Sequence, residues 1–147
     1  MKYERIVVAI DLSAESEKIL NIASSIAADD CSSVHVIHVI EPMPIYPYEA
    51  YIPDMQNVHE QISAESKRQL SEFAERVNIP PSNQKVILGP PASEICQYAE
   101  DSDAQLIILG SHGVSGWRVL LGSTANRVVQ EAKCDVLTVR VGLSKQE

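Results

Sequence analysis

Residues 5–11 read RIVVAID. An unbroken apolar run this short, rich in Val and Ile and closed by an acidic residue, suits a strand covered on both faces by helices. It predicts a first, central strand over 5–10. Working outward, Ser13 is placed as an N-cap, Glu15 and Glu17 sit where a helix start favours negative charge, and Ile19, Leu20, Ile22, Ala23, Ile26 and Ala27 form an apolar face. A helix from about 14 to 28 is expected. The stretch 33–40, SVHVIHVI, is the second strand, and the odd separation of His35 and His38 puts them on opposite sides of it. Residues 41–53, EPMPIYPYEAYIP, hold four of the eight prolines and three tyrosines, Tyr46, Tyr48 and Tyr51, so neither a regular helix nor an interior strand passes through them.

Beyond that loop, Met55, Val58, Ile62, Leu70, Phe73 and Val77 share one helical face, with a polar interruption at Ser66, predicting a long amphipathic helix over 54–77 that Pro80 and Pro81 terminate. Residues 85–88 read as a third strand, and Gly89-Pro90-Pro91 turns the chain into a short helix carrying Ile95, Cys96 and Ala99. Residues 105–109 form a fourth strand, 126–132 a last helix presenting Val128, Val129 and Ala132, and 135–140, DVLTVR, a fifth strand. The alternation βαβαβαβαβ implies a parallel sheet with right-handed crossovers and helices on both faces, a three-layer α/β domain over 1–147.

Composition bounds what such a domain does. With 147 residues, 45% of them hydrophobic and 22% charged, the chain is long enough for one core, burying roughly 70% of its extended surface, and too short for a two-domain enzyme. One Phe and one Trp leave the core to Val, Ile, Leu and Ala. Twelve Lys and Arg against 20 Asp and Glu, a net charge of -8 with no basic run, argue against nucleic acid and anionic membrane as partners. Cys31, Cys96 and Cys134 are odd in number, widely spaced and without a CxxC pair, as expected of reduced thiols in the cytoplasm and of structural rather than metal-binding cysteines. No apolar stretch reaches the ~20 residues that span a bilayer.

Parallel sheets bind ligands beyond the C-terminal ends of their strands, near the point where strand order reverses. Asp11 closes the first strand. Gly110-Ser111-His112-Gly113-Val114-Ser115-Gly116, with Gly122-Ser123 after it, closes the fourth and opens the last helix; four of the six glycines fall in this stretch. Close glycines and a helix start would offer N–H groups to phosphate oxygens, with Asp11 accepting from a ribose or base. The plainer reading is a tight turn, with Asp11 capping the following helix, and the pattern leaves both open. His112 either donates to a phosphate or is a simple loop histidine, and Trp117 packs the loop, covers a ligand or sits at an oligomer contact. No GxxxxGK[ST], no GxGxxG after the first strand and no GxSxG occur, so the usual NTPase, dehydrogenase and serine hydrolase patterns are missing.

RIVVAIDLSAES at the start, VILGPPASEI at 86–95, and LIILGSHGVSGWRVLLGSTANRVVQEAKCDVLTVR at the end resemble the universal stress protein family. The resemblance, running from Tyr3 to Val141, implies a five-stranded parallel sheet of order 3-2-1-4-5 flanked by four helices, in a cytoplasmic stress-response protein. It also implies a homodimer made by the last strand, Val136, Leu137, Thr138, Val139 and Arg140, with pairing to a related stress protein as a further option. Exposed Val136, Leu137 and Val139 on an edge strand would otherwise invite aggregation. Nucleotide-binding members carry glycine, two residues, glycine, nine residues, then glycine with Ser or Thr. Here Gly110 and Gly113 match, but eight residues separate Gly113 from Gly122, and Ser123 completes the last pair. The resemblance thus implies ATP, with Mg²⁺, held by Asp11 and Val39 at the adenosine and by Gly110, Ser111, His112, Gly113, Gly122 and Ser123 at the phosphates. The alternative is a nucleotide-free interaction protein of the same fold. No residue is set as a general base, so any ATP hydrolysis would be slow and would rest on Mg²⁺ and backbone electrostatics.

Overall fold

A computed structural model describes residues 3–42, 55–111 and 121–141. Tyr46, Tyr48, Tyr51, His112, Gly113, Gly116 and Trp117, which figure in the readings above, lie outside the described residues. The elements run β1 (Ile6–Ala9), α1 (Ser16–Ile26), β2 (Val34–Ile40), α2 (Met55–Glu75), β3 (Gln84–Leu88), α3 (Pro91–Asp101), β4 (Leu106–Gly110), α4 (Ser123–Glu131) and β5 (Asp135–Val139). The strands form one parallel sheet in the order β3-β2-β1-β4-β5. This is the expected α/β architecture, with four helices flanking a five-stranded sheet.

Strand period and helix period meet on each face of this sheet. Ile6 and Val8, Val34 and Val36, and Leu106 and Ile108 point to one side, where they bury Ile19, Leu20 and Ala23 of α1 and Leu70 and Ala74 of α2. Val7 and Ala9, Ile37, and Ile107 and Leu109 point to the other, against Ala92, Ile95 and Ala99 of α3 and Ala125 and Val128 of α4. All four residues of β1 are buried, as its uninterrupted apolar run requires. Each such fully buried Val, Ile or Leu contributes about 1.5–3 kcal/mol of transfer free energy, an upper figure because the unfolded chain is itself partly compact.

Two helices start or stop where the backbone turns left-handed rather than where the sequence pattern fades. The first begins at Ser16 instead of about 14: Leu12 has φ 65° and Ser13 makes a turn, its carbonyl accepting from Ser16 N–H at 2.9 Å and its hydroxyl from Glu15 N–H at 3.3 Å. It closes through Ala28 and Asp29, both left-handed, with Asp29 N–H donating to Ser24 O at 2.8 Å. The long helix ends at Glu75 rather than 77, because left-handed Asn78 (φ 61°) lets Ile79 N–H reach Ala74 O at 3.0 Å before the prolines are met. At the β3–α3 turn a Cβ on Gly89 would come within 2.8 Å of Glu94 Cγ, so the Glu94 side chain occupies the space glycine leaves.

Candidate functional site

The sheet order reverses between β1 and β4, whose crossovers leave to opposite faces: β1 leads to α1, β4 to α4. The crevice at that switch lies beyond Ala9 and Gly110, where Asp11 and the start of α4 meet the sheet edge. Asp11 is half-buried, and its Oδ1 accepts from Ser13 N–H at 3.0 Å and, at 3.5 Å, from the hydroxyl of the fully buried Ser16. The carboxylate therefore folds the left-handed turn at Leu12 and ties it to the first residue of α1. Among the described residues, no donor reaches its second oxygen. Both capping and ligand acceptance are open to one side chain, one oxygen each.

On the β4 side, Gly110 is the last strand residue and pairs with Val139. Ser111 follows and is buried: its N–H donates to Val139 O at 2.8 Å, its hydroxyl accepts from Val141 N–H at 3.3 Å and points at Val141 O at 3.5 Å, and its carbonyl accepts from Gly122 N–H at 2.7 Å. Gly122 is the N-cap of α4 and its own carbonyl accepts from Asn126 N–H at 2.9 Å. Ser123 opens the helix with its side chain exposed, and as in any α-helix the N–H groups of the first turn have no intrahelical acceptor. Val39, half-buried, packs towards the α3–α4 side beside Ile87. Asp11, Gly110, Ser111, Gly122 and Ser123 thus gather at one end of the β1–β4 switch, with Val39 one strand further out at the same sheet edge. Arg127 of α4 is exposed and paired with Glu131 at 3.2 Å.

The profile of the universal stress protein family matches residues 2–140. The chain belongs to that family. It is 36% identical over 140 residues to universal stress protein A homolog 1 of Coxiella burnetii, a match spanning 95% of this chain and 97% of the relative. Among solved structures, universal stress protein UspA from Lactobacillus plantarum superposes with a TM-score of 0.79 at 25% identity, over 95% of this chain and 99% of that one. A universal stress protein solved in complex with cAMP superposes at 0.59 with 23% identity, over 95% and 98%.

As a universal stress protein, the chain carries further features beyond the switch. Its edge strand β5 departs from the sequence expectation: Val136, Leu137 and Thr138 are half-buried and Arg140 is exposed, but Val139 is buried, because strand alternation turns it with Leu137 towards α1, where Val139 and Val141 join the core. The cysteines are free, and only Cys31 is fully buried; burial raises the pKa of half-buried Cys96 and Cys134, helped by nearby acidic groups. Among the described residues no cluster of three or more His, Cys, Asp or Glu could hold a metal ion, and no helix is long and apolar enough to cross a membrane. His35 and His38 do face opposite sides: His35 Nδ1 lies 2.9 Å from Tyr98 Oη, towards α3, and His38 Nδ1 2.8 Å from Ile10 O. A pocket missed in the sequence lies between α2 and the ends of β2 and β3, lined by Ile40, Pro42, Ile62, Val86 and Leu88 with His59, Ser63 and Glu41. Of the apolar stripe of α2, Leu70 is buried while Ile62 is exposed at this pocket.

Proposed function

We propose that this chain is a single-domain cytoplasmic stress-response protein that binds an adenine nucleotide, ATP with Mg²⁺, at the β1–β4 switch and works as a homodimer through β5. The observation that carries the reading is the juxtaposition of an uncommitted Asp11 oxygen with the start of α4 across the switch. Asp11 accepts from ribose hydroxyls or base donors, Val39 packs against the adenine, and Gly110, Gly113, Gly122 and Ser123, with His112, meet the phosphates, where a helix start and close backbone favour negative charge. Mg²⁺ comes with the nucleotide and supplies charge neutralisation at the phosphates, which a protein of net charge -8 needs. The family resemblance and the cAMP complex of one relative support adenine as the base.

A second reading has its own observation. The 2.7 Å bond from Gly122 N–H to Ser111 O closes the loop exit on itself, as a nucleotide-free interaction protein would have it. Calorimetry of purified protein with ATP and Mg²⁺, with cAMP as competitor, separates the two: saturable binding at or below millimolar ATP is expected, and its absence there sinks the first reading. Gly122→Val should remove binding while sedimentation still finds the dimer. Among the described residues no general base is positioned there, so turnover of bound ATP should be slow or undetectable.

A further inference from the structure

We propose that Cys96 and Cys134 form a thiol pair that a hydroperoxide converts to a reversible disulfide, tying α3 to the turn between α4 and β5. The three cysteines are free, and the sheet sorts them. Cys31 is buried in the core on the α1–α2 side, whereas Cys96 and Cys134 are half-buried and pack against the one cluster that Ala99 of α3 and Val128 of α4 share on the other side. Local geometry places both. Where the chain leaves α4, alternation turns Ala132, Cys134 and Val136 inward to that cluster and leaves Lys133 and Asp135 outside. Cys96 lies one turn before Glu100 on α3, so the two share a helix face, and Glu100 Oε1 is held by Lys133 Nζ at 3.1 Å. The residue next to Cys134 is therefore tied to the helix face that carries Cys96, and a negative charge on Cys134 is felt at Cys96.

The reaction is a two-electron oxidation. One thiol, as its thiolate, attacks a peroxide oxygen; the O–O bond breaks, the cysteine becomes a sulfenic acid, and water or an alcohol leaves. The second thiolate attacks that sulfur, the S–S bond forms, the S–O bond breaks and water departs. Two thiols and one hydroperoxide thus give one disulfide. The surroundings set the pace. Burial, Glu131 of α4 and Glu100 of α3 hold the Cys96 thiol above its ordinary pKa, and burial and Asp135 at the start of β5 do the same for Cys134. The neighbouring cations are engaged with the same carboxylates, Lys133 with Glu100 and Arg127 with Glu131. Both groups are therefore mainly protonated near pH 7, so the pair rests reduced and oxidises faster as pH rises. The ring that the disulfide closes runs through β4 and α4, the two elements on the far side of the switch from Asp11.

The test uses the full chain with hydrogen peroxide at about pH 8, where more of each thiol is ionised. Free thiols are counted and the cysteine-bearing peptides are mapped by mass spectrometry in the same samples. The three thiols of the wild type should fall to one, with a linked Cys96–Cys134 fragment about 2 Da lighter than its two parts, and dithiothreitol should restore all three. Cys31→Ser should give the same linked fragment. Cys96→Ser and Cys134→Ser should each give none. The wild type alone can overturn the proposal, so it does not depend on either of these variants folding. No linked fragment under conditions that fully oxidise a small dithiol overturns it. So does a link through Cys31, and so does oxygen added to Cys96 or Cys134, or a covalent dimer, in place of the internal link.

Discussion

His35 and Asp11 each give a side chain of ambiguous sequence meaning a definite local job. His35, at the end of the sheet away from the candidate site, is held neutral: burial pushes its pKa down, and the positive charge of Arg5 pushes it further. Its Nδ1 lies within hydrogen-bond distance of Tyr98 Oη, at 2.9 Å. Below the unfolded value near 6.5, the unfolded chain binds a proton that the folded chain refuses, so this residue's stabilisation is present above that pH and is lost as pH falls through it. Urea unfolding at pH 7.5 and 5.5 should therefore show a smaller loss of stability for His35→Gln than for wild type; equal losses would mean other groups carry the acid sensitivity. Asp11 looks from sequence like either a cap or a ligand acceptor, and the two bonds of its Oδ1 explain why no pattern could decide between them. Ser111 was legible as part of a glycine-rich loop but not as a clamp on Val141, because that contact spans 30 residues and no local periodicity encodes it.

Among the elements, strands were the most readable and helix ends the least. Val/Ile runs of four to seven residues have one stable use when both faces must be covered, so all five strands and their alternation with helices were expected in place. Helix ends were set by single left-handed residues, Leu12, Ala28, Asp29 and Asn78, which carry no hydrophobic signal; that is why both α1 and α2 are shorter than their apolar stripes. The burial of Val139 was missed for a related reason: an edge strand read alone does not reveal that α1 reaches its far end, where Lys18 Nζ donates to Arg140 O at 2.6 Å. Within α2 the apolar stripe is energetically uneven. Leu70 is 1% exposed and Ile62 38%, so Leu70→Ala should cost about 2–5 kcal/mol. Ile62→Ala should cost about 1 kcal/mol or less, and chemical denaturation with unchanged slopes is the measurement.

For the molecule as a whole, charge works against the fold more than for it. The ion pairs among the described residues, including Arg68 with Glu65 and Glu72, are exposed and contribute little. A net charge of -8 meanwhile repels itself over the compact surface. Raising salt from ~0.01 to ~0.1 M shortens the screening length from ~30 to ~10 Å and should raise Tm; a fall would mean the surface pairs outweigh the repulsion. The central strand carries a different consequence, one of time. β1 is made first, yet its partner on one side is β4, and Ile6 pairs with Leu106. At roughly 5–20 residues per second the ribosome needs about 5–20 s to supply that partner. Through this interval Ile6, Val7, Val8 and Ala9 have no covered home on the β4 side, so the nascent chain offers a four-residue apolar edge to whatever chaperone is near. The sheet closes around β1 only once β4, about 100 residues later, has left the tunnel, so its central pairing is a long-range one.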